Sequence, residues 1–320
     1  MKLQTQIPLK QAENQIDYDS QILILGSCFA ENIGAKLNYF KFQTVQNPFG
    51  VLFHPLAIEK LISKAVRKER YLDDDVFFLN ERWHCFDAHS DLSDVSKEKL
   101  LEKLNTALEK TYQQIIKSTH VIITLGTAWV YQKTTVNTIV ANCHKVPQKE
   151  FSKELLSSIT IQKSLENTIE NIQSLNKNVQ FIFTVSPVRH LKDGFSENQR
   201  SKAHLITAIH EFLNVSNLQF CMSYFESYEL MIDELRDYRF YKTDMVHPND
   251  LAIDYIWEKF NEVWVKEVAY STMKQINVIQ KGLQHRPFNS DSEKHQNFLK
   301  SLQEKIAYIK QEYAFINFHK

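Results

Sequence analysis

Ile22-Leu23-Ile24-Leu25-Gly26-Ser27-Cys28-Phe29-Ala30 is a four-residue apolar run stopped by a glycine and followed by a serine that opens a stretch of helical spacing. A run so short, with such boundaries, reads as a buried strand. Three others share its character: residues 121–125 (Val-Ile-Ile-Thr-Leu), 179–185 (Val-Gln-Phe-Ile-Phe-Thr-Val) and 218–223. Between them lie segments rich in helix formers, 28–38, 96–117, 152–175 and 197–214, with Ser96 and Ser152 as N-caps, and Leu251–Phe260 follows a Pro248-Asn249 start signal. Strands alternating with helices predict βαβ units and a parallel sheet.

Sheets of this kind place their chemistry beyond the carboxyl ends of the strands. Ser27 follows the first strand directly, where the unpaired N–H groups and dipole of the next helix favour developing negative charge. Far downstream stands Asp244-Met245-Val246-His247-Pro248. A serine hydroxyl needs an imidazole to take its proton and a carboxylate to hold that imidazole in the right tautomer. Ser27, His247 and Asp244 supply all three. Singly, each has a plainer use, as a helix cap or a loop ion pair; the combination points to nucleophilic catalysis. Cys28 is a rival nucleophile at the same helix start, although cysteine is more often a small buried hydrophobe.

Other stretches cluster polar and aromatic residues without amphipathic spacing. In Asn47-Pro48-Phe49-Gly50, Asn47 is either an oxyanion donor or part of a turn. Gly126 and Thr127, in Thr124-Leu125-Gly126-Thr127-Ala128-Trp129, end a strand at the same sheet edge as Ser27. Trp83-His84-Cys85-Phe86-Asp87-Ala88-His89-Ser90 and Asn142-Cys143-His144-Lys145-Val146-Pro147 hold residue types that ligate zinc, but without CxxC or HxxxH spacing. Loop packing and substrate contacts, with His89 and Asn142 in mind, are the better use. Arg189, in Ser186-Pro187-Val188-Arg189-His190, is placed to pair with a carboxylate, inside the protein or on a substrate.

Of the 320 residues 43% are hydrophobic, enough for one large core or a core with an appended unit, and Lys plus Arg (38) balance Asp plus Glu (38). That balance supplies no field for nucleic acid or an anionic membrane. The N-terminus lacks the apolar stretch of a secretory signal, no segment reaches the roughly 18 apolar residues of a membrane span, and the four cysteines lack scaffold spacing. A reducing, cytoplasmic setting is expected. There is no repeat or low-complexity tract. From about residue 265 the chain turns Lys/Gln/Glu-rich, with two helices over 262–283 and 291–313 around Arg286-Pro287-Phe288, so residues 1–264 read as an α/β domain and 265–320 as a helical extension.

Taken together these stretches resemble the GSCFA family of bacterial proteins, named for the pentapeptide Gly26-Ser27-Cys28-Phe29-Ala30, with the likeness spanning about residues 20–260. That family is similar to the SGNH/GDSL hydrolases. The resemblance implies a three-layer α/β/α, flavodoxin-like fold and ester-cleaving activity without metal or cofactor, with Ser27 matching the nucleophile and Asp244 and His247 the Asp-x-x-His block. The substrate class it implies is a small-molecule or glycan ester, such as a carbohydrate O-acetyl group. One block departs from the pattern: SGNH proteins carry Gly-x-Asn-Asp, whose asparagine donates to the oxyanion, and here Gly126-Thr127-Ala128-Trp129 has none. Asn47 or Asn142, with the Ser27 and Gly126 N–H groups, are then expected as donors.

Overall fold

The computed structural model describes residues 5–215 and 221–318. Its centre is a parallel five-stranded sheet made by β1 (Gln21–Gly26), β2 (Gln43–Gln46), β5 (His120–Leu125), β9 (Gln180–Val185) and β10 (Met222–Phe225), in the order β2-β1-β5-β9-β10. Counting only these strands, that is the 2-1-3-4-5 order of flavodoxin-like folds. Two antiparallel pieces decorate it: β3 (Phe77–Leu79) with β4 (Arg82–His84), and β6 (Trp129–Lys133) between β7 (Thr138–Val140) and β8 (Phe151–Leu155).

The three central strands, β1, β5 and β9, are largely apolar and buried because both faces are covered. Alternation sends Leu23, Leu25, Val121, Ile123, Phe181 and Phe183 into one core and Ile22, Ile24, Ile122 and Ile182 into the other. The first core is closed by α2 (Pro55–Val66), α3 (Lys97–Lys117), α4 (Ser158–Leu175) and α5 (Phe195–Val215). The second is closed by α1 (Cys28–Tyr39), α7 (Asp250–Trp264), α8 (Glu267–Gln284) and α9 (Glu293–Glu312), with a short α6 (Ser227–Glu229) running on as a π-helical turn, Leu230–Glu234. The result is a three-layer α/β/α arrangement. Each fully buried Ile, Leu or Phe contributes about 1.5–3 kcal/mol to it.

The structure corrects several local expectations. The helix expected from Ser152 starts at Ser158 on a Ser157 cap, whose Oγ accepts from Thr160 N at 3.1 Å; residues 151–155 are instead β8, paired with β6. The last strand expected over 218–223 is seen at Met222–Phe225, residues 218–220 lying outside the described residues. β2 and α2 are further elements of the fold, α2 starting at Pro55 on a His54 N-cap. Asn249 caps α7 through Ala252 N at 3.0 Å, and Ser96 caps α3 as expected. Among the described residues no helix is long and apolar enough to cross a membrane.

The tail helices join the second layer. α8 docks on the far end of α1, where Gln280 Nε2 donates to Tyr39 O at 3.0 Å and Tyr39 Oη to Asn277 at 2.8 Å. Ser27 lies at the other end of α1.

Candidate active site

Gly26 lies at φ +131°, and a Cβ there would stand 2.1 Å from Thr124 O, so only glycine lets β1 end this close to β5. That turn delivers Ser27 as the N-cap of α1, fully buried, its Oγ accepting from Phe29 N at 3.3 Å. Asn47, 91% buried, supports the turn from the β2 side: its Oδ1 accepts from Gly26 N at 2.9 Å, and its Nδ2 is buried with no protein partner. The Cys28 thiol is pushed up by burial, the wrong direction for a thiolate nucleophile.

Asp244 and His247 form a tight unit. Asp244 Oδ1 accepts from Val246 N (2.8 Å) and His247 N (3.0 Å), and Oδ2 from His247 Nδ1 at 2.7 Å. These bonds, the one from His247 N first, hold the carboxyl down at about 2. The imidazole is 44% exposed, and among the described residues its Nε2 has no partner. No hydrogen bond joins it to Ser27, whose hydroxyl faces its own helix.

His190 lies beside Ser27. The point where a Cβ on Gly126 would lie is 3.2 Å from Ser27 Cβ and 3.4 Å from His190 Nε2, and the charge of His247 acts on the His190 imidazole. The loops are laced together, with Arg189 N donating to Val246 O at 3.2 Å. His190 also borders, with Phe53, Thr127, Trp129, Phe151 and Val246, a cavity of about 680 Å³ beyond the strand ends, within the size range of small-molecule sites. Burial, then the charges of Lys202 and His247, pushes His190 down to about 3, so the ring is neutral, and its Nε2 is buried without a partner.

Lys202, fully buried on α5, donates to Gly126 O (2.8 Å) and Ser186 O (2.7 Å), tying the ends of β5 and β9 together; burial depresses it to about 7. The adjacent Ser201 Oγ meets Thr127 Oγ1 at 3.0 Å and accepts from Ala128 N at 2.7 Å. Neither was singled out from sequence. The signal was there: Asn198, Ser201 and Lys202 occupy buried positions of the stripe that continues with Leu205 and Ile209, polar residues on a core face.

Several expected roles change. The N–H groups of Gly126 and Thr127 donate to Phe53 O at 2.8 and 3.0 Å and that of Ser27 to Thr124 O at 3.0 Å, so the Ser27 and Gly126 groups expected as oxyanion donors are committed to the backbone, as is that of Thr127. His89 does not line the cavity; its ring packs on Gly50, whose missing Cβ and φ of +70° make room, and its Nδ1 sits 3.1 Å from Asp91. Asn142 lines the cavity and turns the chain, its Oδ1 accepting from His144 N at 2.9 Å. Arg189 lines it too but pairs with no carboxylate among the described residues; it donates to Met245 O at 3.2 Å and lies over the rings of Phe195, Tyr238 and Tyr241.

The histidines of the two loop clusters serve packing. His84 bonds Ser93 Oγ and Leu79 O, and His144 bonds Cys85 O at 2.6 Å. Among the described residues no three His, Cys, Asp or Glu side chains converge as a metal site.

The sequence model described as the GSCFA family matches residues 21–260, and that described as the GSCFA domain protein, C-terminal domain, matches residues 276–320. No curated protein matches the chain.

Proposed function

We propose, on the premise that the chain belongs to the GSCFA family, that it is a serine-type ester hydrolase related to the SGNH/GDSL hydrolases, with Ser27 as nucleophile, His247 as base and Asp244 as the group that orients it. One observation carries this reading: an imidazole held at Nδ1 by an ionised carboxylate, its Nε2 left without a partner among the described residues, on the loop whose Val246 borders the cavity at the end of the sheet where Ser27 lies. That is the base–orienter half of a catalytic triad. Attack requires Ser27 to give up its cap on Phe29 N–H and rotate toward the imidazole, a change of the kind that substrate binding brings about. The hydroxyl proton then passes to His247 Nε2, Oγ bonds the carbonyl carbon, and the alcohol leaves with that proton. Water releases the acyl group by the same steps.

A fluorophosphonate probe, read out by mass spectrometry, tests this: adduct on Ser27, absent from Ser27→Ala, with parallel loss of p-nitrophenyl butyrate turnover. Equal turnover by wild type and Ser27→Ala would end the proposal.

The complete burial of Ser27 and the commitment of its N–H favour a second reading, a ligand-binding module without hydrolysis. No adduct on Ser27, together with ligand-induced protection of the cavity from hydrogen exchange, would select it.

A further inference from the structure

A buried polar atom without a partner costs about 1–3 kcal/mol, so folded proteins keep few of them. Six side-chain atoms among the described residues are in this state, and two belong to residues beside Ser27. Asn47 Nδ2 is on the β2 side, on the carboxamide that already holds Gly26 N; His190 Nε2 is on the β5 side, where it, Ser27 Cβ and Phe53 O close around the Cα of Gly126, at 3.4, 3.2 and 3.1 Å from the point where a Cβ would lie. The backbone donors around Ser27, on Ser27, Gly126 and Thr127, are all engaged elsewhere.

We propose that Asn47 Nδ2 and His190 Nε2 are the donors of an oxyanion niche at Ser27, which receives the carbonyl oxygen of an ester. The proposal rests on the hydrolase reading above and adds the groups that stabilise the charge. When Ser27 Oγ bonds the carbonyl carbon and its proton goes to His247, the π pair of the carbonyl moves onto oxygen. That oxygen accepts one hydrogen bond from the Asn47 amide and one from a neutral His190 carrying its proton on Nε2. When the intermediate collapses the pair returns, the C–O bond to the alcohol breaks, and the alcohol takes the proton from His247. Burial keeps His190 neutral in this role, and Lys202 supports it by tying the ends of β5 and β9 together. A fixed neutral imidazole donates without a proton-transfer step, which suits it to charge that forms only in the transition state.

Isosteric variants separate this role from a structural one. Asn47→Asp keeps the acceptor for Gly26 N and removes the donor; His190→Phe removes the ring donor, while His190→Gln offers an amide N–H in its place. With p-nitrophenyl butyrate as substrate, kcat falls about 10²–10³-fold in Asn47→Asp and in His190→Phe, as for loss of an oxyanion donor elsewhere. KM changes less than threefold, and His190→Gln recovers to within tenfold of wild type. Thermal unfolding identifies any variant that fails to fold; Asn47→Asp and His190→Gln then carry the test. Active wild type, inactive Ser27→Ala and near-wild-type kcat in both Asn47→Asp and His190→Phe would overturn the niche and leave the hydrolase standing. Loss in His190→Gln equal to that in His190→Phe would make His190 a proton carrier and overturn its donor role. Wild type without turnover or Ser27 labelling would overturn both.

Discussion

Lys202 brings an ionisable amine to the interior and meets carbonyl oxygens there rather than a carboxylate. Burial therefore lowers its pKa from 10.5 to about 7. Between those values the unfolded chain holds a proton that the folded chain has released, so this residue's contribution to stability rises with pH. Urea unfolding of wild type and Lys202→Met at pH 7 and pH 9.5 should show a wild-type-minus-variant difference that grows in favour of wild type at the higher pH. A flat difference would mean that the ammonium is not buried in solution. Asp244 has the opposite character: three hydrogen bonds hold its carboxyl down at about 2, so it is ionised at neutral pH. Asp244→Asn frees the imidazole to take the wrong tautomer and should lower kcat by about 10²–10⁴-fold with little change in KM. Stopped turnover assays at saturating ester decide it.

At the scale of elements, the β1–α1 turn is the most constrained joint in the molecule. Gly26→Ala would drive a Cβ into Thr124 O at a φ that L-residues avoid, and should cost roughly 3 kcal/mol or more. His54 does similar duty at α2: Nδ1 accepts from Ala57 N at 3.2 Å as the N-cap, and Nε2 donates to Val140 O at 3.1 Å, pinning β7 to the helix. Losing both bonds in His54→Ala should cost roughly 2–4 kcal/mol by denaturant unfolding. Which elements could be read in advance follows from how local their causes are. β1, β5 and β9 announce themselves because a strand covered on both faces is a continuous apolar run. β8 could not be read that way. Its burial alternates along Phe151-Ser152-Lys153-Glu154-Leu155, and only pairing with β6 keeps it out of the helix that Ser157 starts.

For the whole molecule, buried neutral histidines set the acid limit. Burial pushes His54 and His144 to about 4, whereas the unfolded chain protonates near 6.5, so stability is lost as pH falls through that window. Each contributes a slope of about 1.4 kcal/mol per pH unit. Replacing either by Asn should flatten the decline between pH 6.5 and 4.5 in chemical unfolding. The tail behaves differently. α9 and the residues after it bury Leu302, Ile309 and Ile316 in the second core, and α8 docks on α1 at the end remote from Ser27. Deleting residues 286–320 should lower the melting temperature while leaving the rate of fluorophosphonate labelling within twofold of wild type. A labelling rate that changed tenfold would place the tail over the site.

The periodicities of the chain determined the layers, since apolar runs of four to six residues between amphipathic helices have no other economical burial. They also marked Ser27 and the Asp244–His247 pair, because the end of a strand and a short Asp-x-x-His loop are local features. What surrounds the hydroxyl was decided only by folding. Whether an N–H is available to a ligand depends on which carbonyl, distant in sequence, has already taken it: Phe53 O took those of Gly126 and Thr127, and Thr124 O that of Ser27. That left Asn47 Nδ2 and His190 Nε2 unpaired beside Ser27, with Lys202 beneath the strand ends, a distribution of partners that no stretch of this chain encodes by itself.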